Sequence, residues 1–398
     1  MKRIAVLGAT GSIGKSSLDV ISRDKENFEV VLISAHSSRE ELERLSRQFP
    51  SAVCVFSGDT GGKEKLLTAI KNANACLIIN GISGSPGLEP SLAAIESGAA
   101  LALANKETIV MAGRLVLRRA KEKNVNVIPV DSEHSAIFHL LQREIFNHSA
   151  SQGITREDFY NRASQGFMEE DIKSYLNNHV SEIILTASGG PFRKFSLKEM
   201  ESVTAKDALT HPTWKMGPKI TIDSASMANK GLEIIEACVL FNMPPEKIKV
   251  VIHPQSIVHS MVRLCNGALY TQASIPDMRH PIHDALYWPE TKPSSLESLS
   301  FDSLTLEFEK PDTEKFPMLN LARKAAQYGA LFPCAYNAAN EEAVAAFLNG
   351  RIRFTDIPKV TEYALEADWS LKYDDLETVL KADNEARERA LSFIHKLV

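Results

Sequence analysis

Side chains that could do chemistry are concentrated in the segment 211–236. Hydroxyl, amide and ammonium groups stand around the predicted start of a helix that runs to about Phe241: Ser224, Ser226, Asn229 and Lys230. A helix N-terminus has unpaired N–H groups and the positive end of the helix dipole, so these groups suit a phosphate. Glu233 follows one turn later. Capping of the helix by Ser or Asn, with an exposed glutamate, is the structural alternative.

The residues before this helix predict the elements that would position it. Lys219–Asp223 (KITID) predicts a short strand. Residues 211–218 mix Trp214 and Met216 with Pro and Gly. Such a segment is either a loop that closes over a ligand or a surface loop whose tryptophan is buried.

A second group of candidate residues follows the buried strand predicted for Val125–Val130. Asp131, Ser132 and Glu133 come directly after it, before a helix predicted from Ala136. Where the backbone turns, carboxylates at i and i+2 can face one point, and their oxygens suit Mg²⁺ or Mn²⁺. Capping of the helix by Asp131 or Ser132, with Glu133 favoured by the helix dipole, explains the same residues.

The N-terminal residues predict the fold that carries these groups. Arg3–Leu7 is a short apolar run, typical of a strand buried on both faces. A glycine turn, GATGSIG at 8–14, and a helix to about Ser22 follow. This is the context of a dinucleotide-binding turn, in which glycine lets the backbone approach a pyrophosphate. The spacing is GxxGxxG, and a plain tight turn is the alternative.

The end of the second predicted strand, Phe28–Ser34, indicates which dinucleotide binds. NAD-binding units usually place Asp or Glu there to hold the ribose 2′-hydroxyl. Here the chain continues with His36, Ser37, Ser38 and Arg39. Hydroxyls and cations in place of an acid favour a 2′-phosphate and therefore NADP. Ser37 or Ser38 could equally cap the following helix.

Apolar runs at 52–56, 75–80 and 100–104 continue the alternation of strands and helices that predicts a parallel sheet. The last run is followed by Asn105, Lys106 and Glu107 at the edge where open α/β sheets bind ligands. A lysine there either contacts a ligand or stays solvated. A later strand, Ser181–Ala187, ends in Ser188 and a Gly-Gly turn, which is either an anion-binding turn or a plain one.

The rest of the chain predicts supporting structure. Asn147–His179 is a polar, helix-prone connection, and Trp288–Ser300 is rich in Pro and Ser, as in a linker. A strand is predicted at Leu304–Phe308. Four helices that would form a small bundle complete the prediction: Met318–Tyr328, Asn337–Leu348, Ile357–Glu366 and Leu376–Leu397.

Composition limits the class of protein. The 398 residues exceed what one core usually holds, and a net charge of −5 does not favour nucleic acid as a partner. The five cysteines form no CxxC pair, so we expect buried free thiols rather than disulfides or a zinc site. A strand that begins at about Arg3 leaves no room for a signal peptide, and no apolar run is long enough to span a membrane. A soluble, cytoplasmic protein is expected.

Together, these acids, lysines and hydroxyls beside an NADP-type fold indicate metal-assisted reduction of a phosphorylated carbonyl compound. In order, GATGSIG, LALANKET, PVDSEHSAIF, LTASGGPFR, HPTWKMGPKITIDSASMANKGLEIIEA, HPQSIVHSMV and IPDMRHPI resemble the 1-deoxy-D-xylulose 5-phosphate reductoisomerase family to about residue 290. The helical tail fits the family's C-terminal domain. The chain departs from the family at His36–Ser38, where a Gly-Lys-Asn-like turn is common, and in a longer connection at 147–179.

The resemblance implies an α/β fold with a Rossmann-type NADP-binding domain (1–146), a central α/β catalytic domain (147–290) with a flap at 210–219, a linker (291–303) and a C-terminal α-helical bundle (304–398). It also implies roles for residues. The metal ligands would be Asp131, Glu133 and Glu233, which with Lys106 and His211 form the catalytic set. The substrate contacts would be Lys106, Ser132, Glu133, Ser188, His211, Trp214, Met216, Ser224, Asn229, Lys230 and Glu233. The cofactor contacts would be Thr10, Gly11, Ser12, Ile13, Asn105, Glu107 and Gly217, to which the residue pattern adds Ser37 and Ser38.

The implied reaction converts 1-deoxy-D-xylulose 5-phosphate, a phosphosugar, to 2-C-methyl-D-erythritol 4-phosphate in non-mevalonate isoprenoid synthesis. The implied cofactors are NADPH and Mg²⁺, Mn²⁺ or Co²⁺, and the implied assembly is a homodimer. Two other functions are considered. A simple NADP-dependent dehydrogenase of a small aldehyde would not need three acids together. A cofactor-sensing regulatory protein without turnover would not need the acids and lysines.

Overall fold

The computed structural model describes residues 1–151, 155, 170–210, 213–214 and 216–397. The chain divides into two compact units. The first comprises Met1–Thr108, Val116–Asn178 and Asp277–Ser298, and the second Ile109–Leu115, His179–Pro276 and Leu299–Val398. The predicted class is confirmed: an N-terminal parallel sheet of Rossmann type, a second α/β part and a C-terminal set of helices. The domain boundaries given above stay a prediction.

Within the described residues, ten strands form two sheets: β1 Lys2–Leu7, β2 Phe28–Ala35, β3 Val53–Phe56, β4 Leu77–Asn80, β5 Ala100–Leu103, β6 Val127–Pro129, β7 Val180–Ala187, β8 Ile248–Ile252, β9 Val258–Leu264 and β10 Leu269–Ala273. The helices are α1 Ser12–Ser22, α2 Arg39–Gln48, α3 Gly62–Asn72, α4 Leu88–Glu96, α5 Lys106–Lys123, α6 Ser132–Ser151, α7 Glu170–His179, α8 Leu197–Met200, α9 Ala205–Ala208, α10 Pro218–Ala225, α11 Ala228–Leu240, α12 Arg279–Tyr287, α13 Met318–Tyr328, α14 Phe332–Leu348, α15 Ile357–Leu365 and α16 Leu376–Leu397.

The sheet of the first unit is parallel throughout, with strand order β3-β2-β1-β4-β5-β6. Ile4, Val6 and the other apolar residues at the centre of β1 are fully buried, as expected of a strand covered on both faces. The strand order reverses between β1 and β4, and ligands bind at such a switch point, beyond the carboxyl ends of the strands. The predicted strand, glycine turn and helix at the N-terminus therefore lie where a dinucleotide would bind.

The sheet of the second unit is mixed, with strand order β10-β9-β7-β8. β7 pairs with β8 in parallel and with β9 antiparallel, and β10 pairs with β9. β9, β10 and α12 were not predicted. β10 is mostly exposed, so its residues lack the alternation of apolar and polar side chains that marks a half-buried strand.

The strand predicted at Lys219–Asp223 is wrong, because these residues belong to α10. Gly217 precedes the helix in an extended conformation, Pro218 occupies its first turn, and Thr221 Oγ1 donates to the Gly217 carbonyl at 2.8 Å. Proline at this position is pre-organised for a helix. The β-branched residues cost a helix less than ~0.7 kcal/mol each, whereas burial of a residue such as Ile222 stabilises it by ~1.5–3 kcal/mol.

Other boundaries also differ from the prediction. Leu304–Phe308 is not a strand; the neighbouring Glu309 forms only an isolated bridge with Ile252. Helix α6 begins at Ser132 rather than Ala136, and α14 begins at Phe332 rather than Asn337. The bounds predicted for α13 and α16 are confirmed. Part of the polar connection at 147–179 lies outside the described residues.

All five cysteines are free thiols, as predicted. The expectation that they are buried is wrong for Cys54, Cys76 and Cys265, which are exposed, whereas Cys334 is buried. Among the described residues, no helix combines the length and the apolar character needed to cross a membrane.

Candidate active site

The glycine turn after β1 requires glycine at two of its positions. Gly8 has a φ of +73°, and a Cβ there would lie 2.8 Å from the Gly81 carbonyl oxygen. A Cβ on Gly14 would lie 2.4 Å from the Cα of Ala9. The backbone N–H of Ala9 donates to the Ser34 carbonyl at 2.7 Å. The turn is therefore packed tightly against β4 and α1, which only glycine permits.

The N-terminus of α1 is suited to an anion. Gly11 precedes the helix, no side chain caps it, and its first turn contains no acidic residue. Its backbone N–H groups and dipole are thus available to a phosphate. The predicted cofactor contacts at this end differ in exposure: Ser12 is exposed, and Thr10 and Ile13 are partly buried. Ser37 is exposed and Ser38, which precedes α2, makes no capping hydrogen bond through its side chain.

Asn105 fixes a loop beside the switch point. It precedes α5, and its side-chain oxygen accepts from Thr108 N at 3.0 Å. Its amide nitrogen donates to the carbonyls of Ile82 and Gly84 at 2.7 and 2.9 Å, and to Glu107 at 3.0 Å. Asn105 and Glu107, both predicted to contact the cofactor, are therefore hydrogen-bonded to each other. Asn105 also holds the backbone of the loop after β4.

Sequence reasoning missed Asn80, which acts on the same loop. This residue ends β4 and is fully buried. Its amide nitrogen donates to Gly87 O at 2.9 Å and Ser91 Oγ at 2.7 Å, and its oxygen accepts from Ile82 N at 3.1 Å. An asparagine at the end of a buried apolar strand, followed by a Gly/Pro-rich loop, was the available signal.

Lys106 and Asp131 pair at the carboxyl ends of β5 and β6. The Lys106 ammonium forms an ion pair with Asp131 Oδ2, and both side chains are largely buried. Ser132 Oγ donates to Glu133 Oε2 at 2.6 Å. The structure thus brings together the predicted catalytic lysine and one predicted metal ligand. It also places the second acid of this segment beside the serine predicted to contact the substrate.

The second unit places Glu233 between two donors from its own helix. Asn229 Nδ2 donates to Glu233 Oε1 at 2.5 Å, and the Lys230 ammonium pairs with Glu233 Oε2. Spacings of i+4 and i+3 put these side chains on one face of α11. Glu233 is fully buried and Lys230 almost so. The structural alternative expected Glu233 to be exposed, and that expectation is therefore wrong.

The corner between α10 and α11 is built on a strained residue. Met227 precedes α11 with a φ of +64°, and the Ser226 hydroxyl accepts from Ala228 N, the first residue of the helix, at 3.3 Å. A left-handed conformation costs a residue with a side chain ~1–2 kcal/mol. The corner places Ser224 and Ser226 immediately before the helix that carries Asn229 and Lys230.

A second turn lies against this corner. Ser188 follows β7, and its hydroxyl accepts from Gly190 N at 3.4 Å. A Cβ on Gly190 would lie 2.8 Å from the Ser224 carbonyl oxygen. Glycine at this position therefore brings the turn of Ser188 close to Ser224, two of the residues predicted to bind phosphate.

The predicted flap is described in part. Trp214 and Met216 are partly buried, and Gly217 is exposed at the start of α10. His211 lies outside the described residues. Asp131, Glu133 and Glu233 can each offer a carboxylate oxygen to a metal ion; the first two belong to the first unit and Glu233 to the second.

Known protein families and individual proteins match nearly the whole length of this chain. A family model of 1-deoxy-D-xylulose 5-phosphate reductoisomerase matches residues 4–61 and 57–113. The model of that family's C-terminal domain matches residues 127–241, and a DXP reductoisomerase C-terminal domain matches residues 273–389. The 1-deoxy-D-xylulose 5-phosphate reductoisomerase of Treponema denticola is 44% identical over 99% of this chain and 97% of that protein. The corresponding protein of Pelodictyon phaeoclathratiforme is 43% identical over 99% of this chain and 100% of its own length.

Solved structures agree. A DOX-P reductoisomerase in complex with NADPH, fosmidomycin and magnesium has a TM-score of 0.86 and 34% identity, covering 99% of this chain and 98% of that one. A 1-deoxy-D-xylulose 5-phosphate reductoisomerase from Zymomonas mobilis in complex with NADPH has a TM-score of 0.82 and 38% identity, covering 99% of each chain.

Proposed function

The chain belongs to the 1-deoxy-D-xylulose 5-phosphate reductoisomerase family, and on this premise we propose how its residues carry out the family's reaction. It is an NADP-dependent oxidoreductase that converts 1-deoxy-D-xylulose 5-phosphate to 2-C-methyl-D-erythritol 4-phosphate in non-mevalonate isoprenoid synthesis. Its cofactors are NADPH and a divalent cation. The observation that carries the assignment is the match to relatives over nearly the whole chain.

The glycine turn after β1 fits the pyrophosphate of NADPH, since the close packing of Gly8 and Gly14 against the protein's own backbone shapes the turn and Gly11 leaves the N-terminus of α1 without a side-chain cap. The residues proposed to contact the cofactor are Thr10, Gly11, Ser12, Ile13, Ser37, Ser38, Asn105, Glu107 and Gly217. Asn105 supports this role indirectly, because its hydrogen bonds to Ile82 and Gly84 fix the loop at the switch point.

Carboxylate oxygens are the ligands that Mg²⁺ and Mn²⁺ prefer, so Asp131, Glu133 and Glu233 fit a divalent cation. When bound, the cation polarises the ketone oxygen and orients the substrate, and NADPH supplies the hydride. Lys106 pairs with Asp131 and Lys230 with Glu233. In the proposed site the cation would compete with both lysines for these carboxylates, and an ammonium group displaced from its carboxylate would be available to the substrate.

Ser188, Ser224, Asn229 and Lys230 bind the phosphate end of the substrate, because hydroxyl, amide and ammonium donors are gathered at the α10–α11 corner. Lys106 neutralises the negative charge that develops on the substrate oxygen. One such donor is worth ~2.7–4 kcal/mol of transition-state stabilisation. Ser132 contacts the substrate beside Glu133, and His211, Trp214 and Met216 cover it and exclude water.

Loss of NADPH absorbance in the presence of the deoxyxylulose phosphate tests the reaction. We expect turnover with Mn²⁺, none after EDTA, and recovery when Mn²⁺ is restored. Turnover without metal would contradict the proposal and favour a simple dehydrogenase. Absence of NADPH oxidation under all conditions would favour a regulatory protein.

Glu233→Gln tests the ligand set. We expect the substitution to weaken Mn²⁺ binding at least tenfold while NADPH binding, followed by cofactor fluorescence, stays within about twofold, because the glycine turn belongs to the first unit. Equal loss of both would show that Glu233 has only a structural role. Glu199→Gln is the matched control, because Glu199 also lies in the second unit but its contacts are confined to an exposed capping box.

We further propose a homodimer in the cytoplasm. β10 forms one edge of the second sheet and exposes Leu269 and Tyr270, and an exposed strand edge is a natural surface for pairing with a second chain. Five free thiols suit a reducing compartment. Sedimentation equilibrium tests the assembly, with a monomer as the contradicting result, and cell fractionation tests the location.

A further inference from the structure

Arg39, the first residue of α2, makes an unusual set of contacts at the end of β2. Its guanidinium carbon lies 4.1 Å from the centroid of the Phe56 ring. Its Nη2 donates to Asp59 Oδ1 at 2.5 Å, and both side chains of this ion pair are half exposed. Within the part of the chain that the structure describes, Asp59 is the only hydrogen-bond partner of the guanidinium.

Two loops are held together around this arginine. Ser57 N donates to the Ala35 carbonyl at 2.8 Å, and Ser57 Oγ lies 3.3 Å from His36 Nδ1. A Cβ on Gly58 would lie 2.2 Å from the His36 carbonyl oxygen, so only glycine allows this approach. The loop after β3 therefore holds Phe56 and Asp59 beside Arg39.

We propose that Arg39 determines the preference for NADPH by binding the 2′-phosphate, and that Asp59 holds the guanidinium in place until the phosphate arrives. The end of β2 is where a dinucleotide fold contacts the ribose, and no acid stands there to select a 2′-hydroxyl. A guanidinium has five N–H donors in a planar fork, so the contact with Asp59 leaves donors for phosphate oxygens. Stacking on Phe56 limits the orientations of that fork.

The charges explain why Asp59 moderates binding rather than preventing it. A phosphate monoester carries a charge of about −1.5 to −2, so it outcompetes a single exposed carboxylate for the guanidinium. Exposed ion pairs contribute little to stability. Asp59 nevertheless places a negative charge near the incoming phosphate and should weaken NADPH binding by a small factor.

Adenosine 2′,5′-bisphosphate and AMP are the probes, because they differ only in the 2′-phosphate. Calorimetric titration without metal or substrate measures both dissociation constants. For Arg39→Gln we expect the bisphosphate constant to rise about 10- to 100-fold, which corresponds to the ~1.5–3 kcal/mol of hydrogen bonds to a charged group. The AMP constant should change less than about twofold. Asp59→Asn should lower the bisphosphate constant about two- to fivefold.

Arg47→Gln is the matched control, because Arg47 is exposed in the last turn of the same helix and loses the same charge. It should leave both constants unchanged. Arg39→Lys keeps the charge without the fork and should fall between the parent and Arg39→Gln.

The inference rests on the proposed function only in taking NADPH as the cofactor. It is overturned if Arg39→Gln leaves the ratio of the two constants unchanged, or if Arg47→Gln changes that ratio equally. Failure of the proposed reaction would be seen separately, as an absence of NADPH oxidation by the parent protein, and would not alter this ratio.

Discussion

Replacing Gly231 with alanine tests the packing that holds the proposed phosphate and metal residues. Gly231 lies on α11 between Lys230 and Glu233. A Cβ there would lie 2.5 Å from Tyr336 Oη and 2.8 Å from Ala322 Cβ. Tyr336 is fully buried, and its hydroxyl donates to a backbone carbonyl at 3.2 Å. Helices α13 and α14 therefore come as close to α11 as a glycine allows.

The expected cost is the balance of three effects. Carbon atoms pack at about 3.5–4.0 Å, so the new methyl group forces the helices apart by close to 1 Å. Overpacking of this kind costs ~1–3 kcal/mol, and loss of the tyrosine hydrogen bond costs ~0.5–1.5 kcal/mol. Alanine regains ~1 kcal/mol of helix propensity over glycine. Gly231→Ala should thus lower the free energy of unfolding by about 2 kcal/mol, the middle of these ranges.

A double-mutant cycle with Tyr336→Phe identifies the cause. Tyr336→Phe alone should cost ~1 kcal/mol, because it removes a buried hydrogen bond to the Met318 carbonyl. It also removes the hydroxyl that the Gly231→Ala methyl group would contact. The double mutant should therefore lose ~1 kcal/mol less free energy of unfolding than the sum of the losses in the two single mutants. Tyr328→Phe is the matched control, because Tyr328 is exposed at the end of α13.

Thermal unfolding measures these effects, and a loss of about 2 kcal/mol should lower Tm by about 4–8 °C for a unit of this size. Mn²⁺ affinity should fall in the same variant, because Glu233 and Lys230 flank the displaced residue. If Gly231→Ala were as stable as the parent, or if the cycle showed no coupling, the close packing of Gly231 against Tyr336 would not be the reason for glycine at this position.

Two further predictions concern polar side chains away from the site. His253 is fully buried, donates through Nδ1 to Glu307 O and accepts through Nε2 from Ile257 N and Val258 N; His253→Ala should cost at least ~3 kcal/mol in thermal unfolding, whereas the exposed His395→Ala should cost nothing measurable. Burial and then the hydrogen bond to Asp24 raise the pKa of Tyr287 to about 12. Because an unfolded tyrosine ionises near pH 10, the free energy of unfolding should fall as pH rises from about 10 to 12, and Tyr287→Phe should make this fall smaller in denaturant titrations, the rest coming from other tyrosines with a raised pKa.

Predictions from the sequence succeeded where local chemistry decides the structure. The turn after β1 was predicted from its glycines, and Gly14 is required because a Cβ there would meet the backbone of Gly8 and Ala9 in the same turn. Helices α13 and α16 carry apolar residues at helical spacing, so their bounds were predicted correctly. Lys219–Asp223 was predicted as a strand because three of its five residues are β-branched, and that preference is weaker than the burial of residues such as Ile222 in α10.

The site could be predicted as a set of residues and not as a set of contacts. Lys106 and Asp131 come from different strand ends, and nothing in their sequence separation indicates that they pair. Asn80 was missed although its place at the end of a buried apolar strand was a local signal, because its three hydrogen bonds cannot be seen in a sequence. The pairing of Lys106 with Asp131 depends on the fold that brings two strand ends together, so it has no local signal.

The pairing of Lys230 with Glu233 explains why α11 carries both a proposed metal ligand and residues proposed to bind phosphate. A fully buried carboxylate is costly unless a cation and hydrogen-bond donors offset its lost hydration. Lys230 and Asn229 provide both, and they are also the groups proposed to bind phosphate. Before ligands bind, these side chains stabilise the buried acid. In the proposed site a divalent cation would hold this carboxylate, and the ammonium and amide would then be available to the substrate, so binding of the cation and of the phosphate end would favour each other.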